Sequence, residues 1–143
     1  MKPIRKRGTP DSPVYEARTR DVVVRVKANY EPGQSDPAEN RYFWNYTVEI
    51  ENHGQETVQL VSRRWVITDA RNHSEVVSGR GVVGEQPTLR GREAFRYVSG
   101  CPLETSSGAM SGVYQMVTDG GEAFEAEIPQ FSLHLPGASK KLN

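Results

Sequence analysis

Three glycines near the middle of the chain, Gly79, Gly81 and Gly84, have the G-x-G-x-x-G spacing of dinucleotide-binding turns. In such turns a strand passes directly into a helix, and the amides at the helix N-terminus bind a pyrophosphate. Here Pro87 fits only the first turn of a helix, and Gly91 follows four residues later. No strand–helix–strand pattern surrounds the segment either, so a Rossmann-type nucleotide site is excluded.

Two interpretations of the glycine-rich loop remain. In the first, its successive backbone N–H groups form a small anion site for a phosphate or polyphosphate, with Arg80 adding a charge-assisted contact. The ligand-binding residues are then Gly79, Arg80, Gly81 and Gly84. In the second, which we favour, the glycines only supply positive φ angles and bulges at a corner of a β-sandwich.

The other residues that could carry chemistry do not converge into a catalytic set. His53, His73 and His134 lie far apart without ligand-like spacing, and His134 alternates with apolar neighbours, which predicts that it points outward. Cys101 lacks a Cys/His signature, so we expect a small buried side chain. Hydrolase, zinc-protease and P-loop motifs are absent. The sequence therefore predicts no catalytic residues, no cofactor and no enzyme.

Two pairs of carboxylates are candidates for metal ligands. Glu49 and Glu51 share one strand face, and Glu125 and Glu127 share another. Because both pairs alternate with apolar residues, we expect them to lie on solvated outer faces of sheets. No metal site is predicted.

Composition indicates one domain in a reducing compartment. The chain has 143 residues and one cysteine, so it forms no internal disulfide. No stretch approaches 18 consecutive apolar residues, and no apolar segment follows the basic N-terminus, so neither a membrane span nor a secretory signal is predicted. We expect a cytoplasmic protein without a membrane partner.

The formal net charge of the chain is zero, but its central part is acidic and its two ends are basic. Six of the 18 Lys and Arg residues lie in the terminal segments, so residues 11 to 139 hold 12 basic residues against 18 acidic ones. An acidic surface repels phosphate backbones, which disfavours nucleic acid as a general partner. For the basic N-terminal arm, a solvated end is favoured over contact with RNA or an acidic partner.

The elements that would position these residues are strands. Apolar residues alternate with polar ones in RDVVVRVKANY and in RYFWNYTVEIEN, which places Trp44 in the core. In TVQLVSRRWVITDA the phase changes between Leu60 and Trp65, and a bulge or bend around Arg63 would return both to the core. A second change of phase, at Pro129, predicts an edge or a bulge.

Further strands are predicted at HSEVVSG, EAFRYVS, SGVYQMVTD and EAFEAEIPQFSLHL, with a hairpin between the last two. At least seven short strands without a credible helix predict an all-β fold, an antiparallel sandwich or barrel. We expect a basic arm at residues 1–17, the sandwich at residues 18–136 and a flexible tail at residues 137–143.

Several blocks together resemble the ApaG family of small bacterial proteins. They occur in family order over about residues 18 to 135: YTVEIEN, VQLVSRRWVITDA, GRGVVGEQP, YVSGCPL and SGVYQMVTDGGEAFEAEIPQFSL. The resemblance implies an immunoglobulin- or fibronectin type III-like sandwich. It also implies a link to cobalt and magnesium resistance or efflux, and thus to ion homeostasis. Similar domains in eukaryotic proteins look like protein-interaction modules.

Two functions follow as expectations. The favoured one is a non-catalytic module that binds a protein partner and is linked only indirectly to cobalt and magnesium resistance. The alternative is a sensor or weak hydrolase that binds a phosphate-bearing small molecule at the loop from Gly79 to Gly84.

Overall fold

Residues 12 to 137 are described by the computed structural model, and over this range the chain forms nine β-strands and two single-turn 3₁₀ helices. The strands are β1 (Val14–Thr19), β2 (Val22–Tyr30), β3 (Tyr42–Asn52), β4 (Val58–Asp69), β5 (Ser74–Arg80), β6 (Thr88–Leu89), β7 (Ala94–Leu103), β8 (Gly108–Thr118) and β9 (Ala123–Leu133). The 3₁₀ helices, Pro32–Gln34 and Pro37–Glu39, lie in the turn-rich connection between β2 and β3. Neither has the length or apolarity needed to span a membrane.

The strands form two antiparallel sheets packed face to face. One sheet has the order β1-β2-β3-β7, and the other has the order β5-β4-β8-β9, with the short β6 also pairing with β4. The predicted immunoglobulin- or fibronectin type III-like sandwich of seven or more antiparallel strands is therefore confirmed.

Alternating side chains from both sheets fill the core, as the period of two predicts. Trp44 and Trp65 are 1% and 3% exposed, which confirms their assignment to the core. The indole of Trp65 meets Tyr46 from the opposite sheet edge-on, with ring centroids 5.4 Å apart, and Phe131 at 6.0 Å. Such edge-to-face pairs stabilise the packing beyond the area that they bury.

Two β-bulges allow strands whose apolar alternation changes phase to keep their apolar side chains in one core. The register between β4 and β8 shifts between Leu60 and Ser62, slightly before the predicted position at Arg63, so both Leu60 and Trp65 face inward. The register between β8 and β9 shifts at the segment that contains Pro129. Both predicted irregularities are confirmed, and the second removes the need for Pro129 to donate to the ladder.

The first strand begins earlier than the predicted domain boundary. Val14 to Ala17 pair with β2, although the arm was expected to extend to residue 17. The ring centroids of Tyr15 and Phe131 lie 6.3 Å apart, so an aromatic contact holds this strand against the core. The sequence did not indicate a strand here because prolines surround the segment. Of the predicted arm and tail, residues 1–11 and 138–143 lie outside the described range.

The two long sides of the sandwich differ. On one side β1 meets β9, where the Glu127 N–H donates to the Thr19 hydroxyl and Arg20 forms an ion pair with Glu122. On the other side β5 and β7 are the edge strands of their sheets, and within residues 12–137 no strand pairing joins them. In the part of the chain that the structure describes, this side of the sandwich is therefore open.

Candidate functional site

The glycine-rich loop is a tight turn that follows β5. Val82 and Glu85 exchange two backbone hydrogen bonds, each with an N···O distance of 2.8 Å. Between them Val83 and Gly84 have φ angles of 43° and 81°, the left-handed conformations of a type I′ turn. Gly81 precedes the turn with a φ of 62°, and a Cβ there would lie 2.2 Å from the Glu85 carbonyl oxygen. Glycine is therefore required at position 81.

The amides of this loop are largely engaged with the protein itself. The Gly81 N–H donates to the Val61 carbonyl at 2.8 Å, and the Val82 and Glu85 amides bond to each other's carbonyls. The side chain of Arg80 is exposed, with one long contact of 3.5 Å to the Gln86 amide oxygen. The geometry thus accounts for Gly81 and Gly84 as turn residues, and the phosphate site stays a prediction.

Gly79 has a different role, which involves an arginine that the sequence analysis did not select. Arg63 faces Gly79 across the β4–β5 pair, and a Cβ at position 79 would lie 2.8 Å from an Arg63 guanidinium nitrogen. The Arg63 Nη1 donates to the Arg80 carbonyl at 3.0 Å and to the Gly81 carbonyl at 2.7 Å. The signal was present in the sequence, because Arg63 has the inward parity of Trp65 in the same strand.

A cleft opens between the edge strands β5 and β7, and we refer to it as the edge cleft. Its deeper part has a volume of about 600 Å³ and reaches Tyr46, Tyr97 and Met110. A second cavity of about 470 Å³ continues it toward the end of β7. Both cavities share the same four lining residues: Ile67, Glu75, Pro102 and Leu103. The edge cleft therefore runs along the open side of the sandwich.

The floor of the edge cleft is formed by the neutral aromatic side chains of Tyr46, Trp65 and Tyr97. The hydroxyls of Tyr97 and Tyr114 are 2.5 Å apart and connect the two sheets. Burial is the main cause that raises the pKa of both phenols. Burial, with a smaller contribution from the charge of Glu75, also raises the pKa of the Cys101 thiol to about 11. Cys101 is 2% exposed, which confirms the expected small buried side chain.

Exposed valines flank this neutral floor. Val77 in β5 and Val83 in the turn line the edge cleft and are 36% and 55% exposed. Val76, the neighbour of Val77, is 53% exposed but does not line it. All but one of the residues of β5 are exposed, so the strand combines accessible apolar side chains with an outer edge that no other described strand pairs with.

The structure does not bring the three histidines together. His53 and His73 are exposed, and the His53 Nε2 lies 2.7 Å from the Glu51 carboxylate. The expectation for His134 was wrong. Its ring is half-buried, with Nδ1 2.8 Å from the Ser132 hydroxyl, and its Nε2 is enclosed with no hydrogen-bond partner among residues 12–137. The His134 carbonyl accepts a hydrogen bond from the Trp44 indole, and this bond holds the segment after β9 against the core.

Of the two outer carboxylate pairs, Glu49 and Glu51 on β3 are engaged in ion pairs. Arg25 bridges Glu16 and Glu51, with N···O distances of 2.8 and 2.7 Å, and approaches Glu49 at 3.7 Å. Partial burial opposes ionisation of Glu51, but hydrogen bonds from His53 and Arg25 outweigh it and lower its pKa. Within residues 12–137, no three His, Cys, Asp or Glu side chains are grouped so as to hold a metal ion.

Relatives and solved structures agree with this architecture. The chain is 64% identical over 139 residues to Protein ApaG of Caulobacter vibrioides, covering 97% of this chain and 99% of that protein. It is 52% identical over 130 residues to Protein ApaG of Bradyrhizobium diazoefficiens, covering 91% and 100%. The crystal structure of the putative ApaA protein from Bordetella pertussis superposes with a TM-score of 0.81 at 45% identity, covering 82% of this chain and 96% of that one.

The family model described as the ApaG domain matches residues 32–118, which extend from the connection after β2 to the end of β8. This range includes the turn after β5 and both edge strands of the edge cleft. The chain therefore belongs to the ApaG family.

Proposed function

We propose that this protein is a non-catalytic binding module that receives a segment of a protein partner in the edge cleft. The observation that carries the proposal is the exposed outer edge of β5, which no other strand among residues 12–137 covers, next to a cleft lined by Val77 and Val83. An unpaired strand edge offers a row of N–H and C=O groups to an added strand, and adjacent pockets select its side chains. Binding by strand addition uses both features.

The chemistry of the edge cleft supports a role without catalysis. Cys101 is its only thiol, and a thiol whose pKa is about 11 is protonated at neutral pH and a poor nucleophile. Its Sγ contacts the Pro102 carbonyl at 3.7 Å rather than a base. Burial also raises the pKa of Tyr97 in the floor and of its hydrogen-bond partner Tyr114, so neither phenol ionises near neutral pH. Binding a peptide segment requires no reactive group, and these neutral side chains are sufficient for it.

The link to cobalt and magnesium resistance is part of this proposal and is indirect. The partner, rather than this chain, would handle the metal. In support, Arg25 and His53 engage the carboxylates of Glu49 and Glu51 that a metal would require. We propose the cytoplasm as the setting, since the one cysteine is a free thiol.

A matched pair of substitutions in β5 tests the proposal. Val77→Trp places a large ring in the edge cleft, whereas Val76→Trp places the same ring at a neighbouring position that does not line it. A displayed library of random heptapeptides is selected on the full-length protein, and the best binder is titrated into each variant. We expect binding to Val76→Trp but not to Val77→Trp. Enrichment of no peptide, or equal binding to both variants, would contradict the proposal.

The alternative function, phosphate or polyphosphate binding at the loop from Gly79 to Gly84, is favoured by the exposed side chain of Arg80 beside the turn. Thermal unfolding with pyrophosphate, ATP and diadenosine tetraphosphate tests it. Ligand at about 100 times its Kd adds about 2.7 kcal/mol and raises the Tm by several degrees. A rise that Arg80→Ala abolishes supports the alternative, and an unchanged Tm at millimolar ligand rejects it.

A further inference from the structure

The two ends of the edge cleft carry opposite charge. Arg63 and Arg80 line the end next to the turn after β5. Asp69 and Glu104 line the other end, and Glu75 lies between the two cavities. Arg41 also borders the acidic end, but its guanidinium lies 3.5 Å from the Asp36 carboxylate, which offsets its charge. The cleft is therefore basic near Arg80 and acidic near Asp69.

These charges are available to a ligand. Among residues 12–137, no ion pair joins Arg63, Arg80, Asp69, Glu75 or Glu104 to an opposite charge. The bonds from Arg63 to the carbonyls of Arg80 and Gly81 fix the guanidinium without neutralising it. At the acidic end, amide hydrogen bonds from His73 and Arg71 lower the pKa of Asp69, so its carboxylate stays ionised.

The distance between the two ends matches a short extended segment. Glu75 and Arg80 are five residues apart in β5, which corresponds to about 17 Å of strand. Between them the wall is apolar and includes Val77 and Ile67. An added strand that is antiparallel to β5 would begin near Arg80 and end near Glu75, and antiparallel pairing is the more stable arrangement per residue.

We infer that the edge cleft selects an extended peptide segment with an acidic residue about four to six positions before a lysine or arginine and apolar residues between them. The inference rests on the proposed function and names the partner's chemistry. The acidic residue pairs with Arg63 and Arg80, and the basic residue pairs with Glu75, Asp69 and Glu104. Complementary charges at both ends fix the direction and register of the segment.

The heptapeptide selection also tests this inference. We expect enriched sequences to carry Asp or Glu near the N-terminus and Lys or Arg near the C-terminus. The best binder is then compared with a peptide whose two charged residues are exchanged. The exchange removes two surface ion pairs and creates two charge repulsions, so we expect the affinity to fall about tenfold. The variant Glu75→Arg/Arg80→Glu leaves Arg63, Asp69 and Glu104 in place, so we expect the preference between the two peptides to be largely lost.

The outcomes separate the inference from the proposed function. If enriched peptides bind, are lost in Val77→Trp, and tolerate exchange of their charges, the edge cleft is a binding site without the inferred polarity. If the selected peptides bind Val77→Trp unchanged, or none is enriched, the proposed function itself fails. Thermal unfolding of Glu75→Arg/Arg80→Glu verifies that the variant is folded before affinities are compared.

Discussion

Arg63 joins the core of the sandwich to the turn after β5. Its guanidinium donates to the Arg80 and Gly81 carbonyls, where β5 passes into the turn, and Gly79 leaves the space that it occupies. The same residue contributes positive charge to the edge cleft. One side chain therefore shapes the turn and carries part of the proposed recognition.

Replacing Arg63 by Met removes both hydrogen bonds to the turn while retaining an extended apolar stem. We expect Arg63→Met to lower the free energy of unfolding by about 2 kcal/mol, since the Arg80 and Gly81 carbonyls lose a charged donor. Urea denaturation measures the loss. Arg64→Met is the matched control, because Arg64 is exposed and makes no such bonds in the described chain. Equal losses in the two variants would contradict this role of Arg63.

At the scale of elements, the turn from Val82 to Glu85 is strained at one position. Val83 is β-branched but has a φ of 43°, in a region that such residues rarely adopt. The strain persists because the hydrogen bonds between Val82 and Glu85 fix the turn. An exposed valine held in this conformation beside the edge cleft is consistent with a contact to a partner.

We expect Val83→Asn to stabilise the protein by about 1 kcal/mol, because Asn-Gly is the preferred pair for a type I′ turn. For a chain of this size the Tm should rise by about 3 °C, measured by thermal unfolding. Val98→Asn is the control, since Val98 is similarly exposed but lies within β7. It should be neutral or destabilising because asparagine is a poor strand residue. A lower Tm for Val83→Asn would mean that the turn is not strained.

The sequence predicted elements better than it predicted the site. Alternation located β2 and β3, and the changes of phase, one between Leu60 and Trp65 and one at Pro129, indicated both bulges. The whole of β1 (Val14–Thr19) was missed, because its alternation is short and is preceded by prolines. The alternation of polar and apolar residues is sufficient to predict a strand when the segment's own sequence determines which of its side chains are buried.

The edge cleft could not be predicted from the sequence, because it depends on which strands become edges. The glycine spacing correctly indicated positive φ angles at Gly81 and Gly84. It did not show that the amides of the loop bond to the Val61 and Glu85 carbonyls. His134 was placed outside by alternation, whereas the bond from Trp44 to its carbonyl holds it half-buried. Such features arise from packing between segments distant in sequence.

At the scale of the whole molecule, the buried Cys101 makes stability depend on pH. Its pKa is raised from 9.0 to about 11 in the folded state. The thiol therefore contributes full stability below pH 9, and this contribution is lost as the pH rises through 11. A shift of about two pKa units corresponds to about 3 kcal/mol. Above pH 10 the buried tyrosines add to the loss.

Urea denaturation under reducing conditions at pH 8, 9.5 and 11 measures this dependence. We expect the free energy of unfolding to fall between pH 9 and pH 11, and to fall less steeply in Cys101→Ala. The substitution itself costs some stability at every pH, so the slopes are compared rather than the absolute values. Identical slopes would show that the folded and unfolded thiols titrate alike.

The most direct test of the central claim is to find where a selected peptide binds the intact protein. Amide hydrogen exchange of the full chain, with and without the best heptapeptide, reports this residue by residue. We predict that added protection appears in β5 (Ser74–Arg80), with none on the outer face of β2 and β3. Protection centred on that outer face, or absent from β5, would contradict binding in the edge cleft.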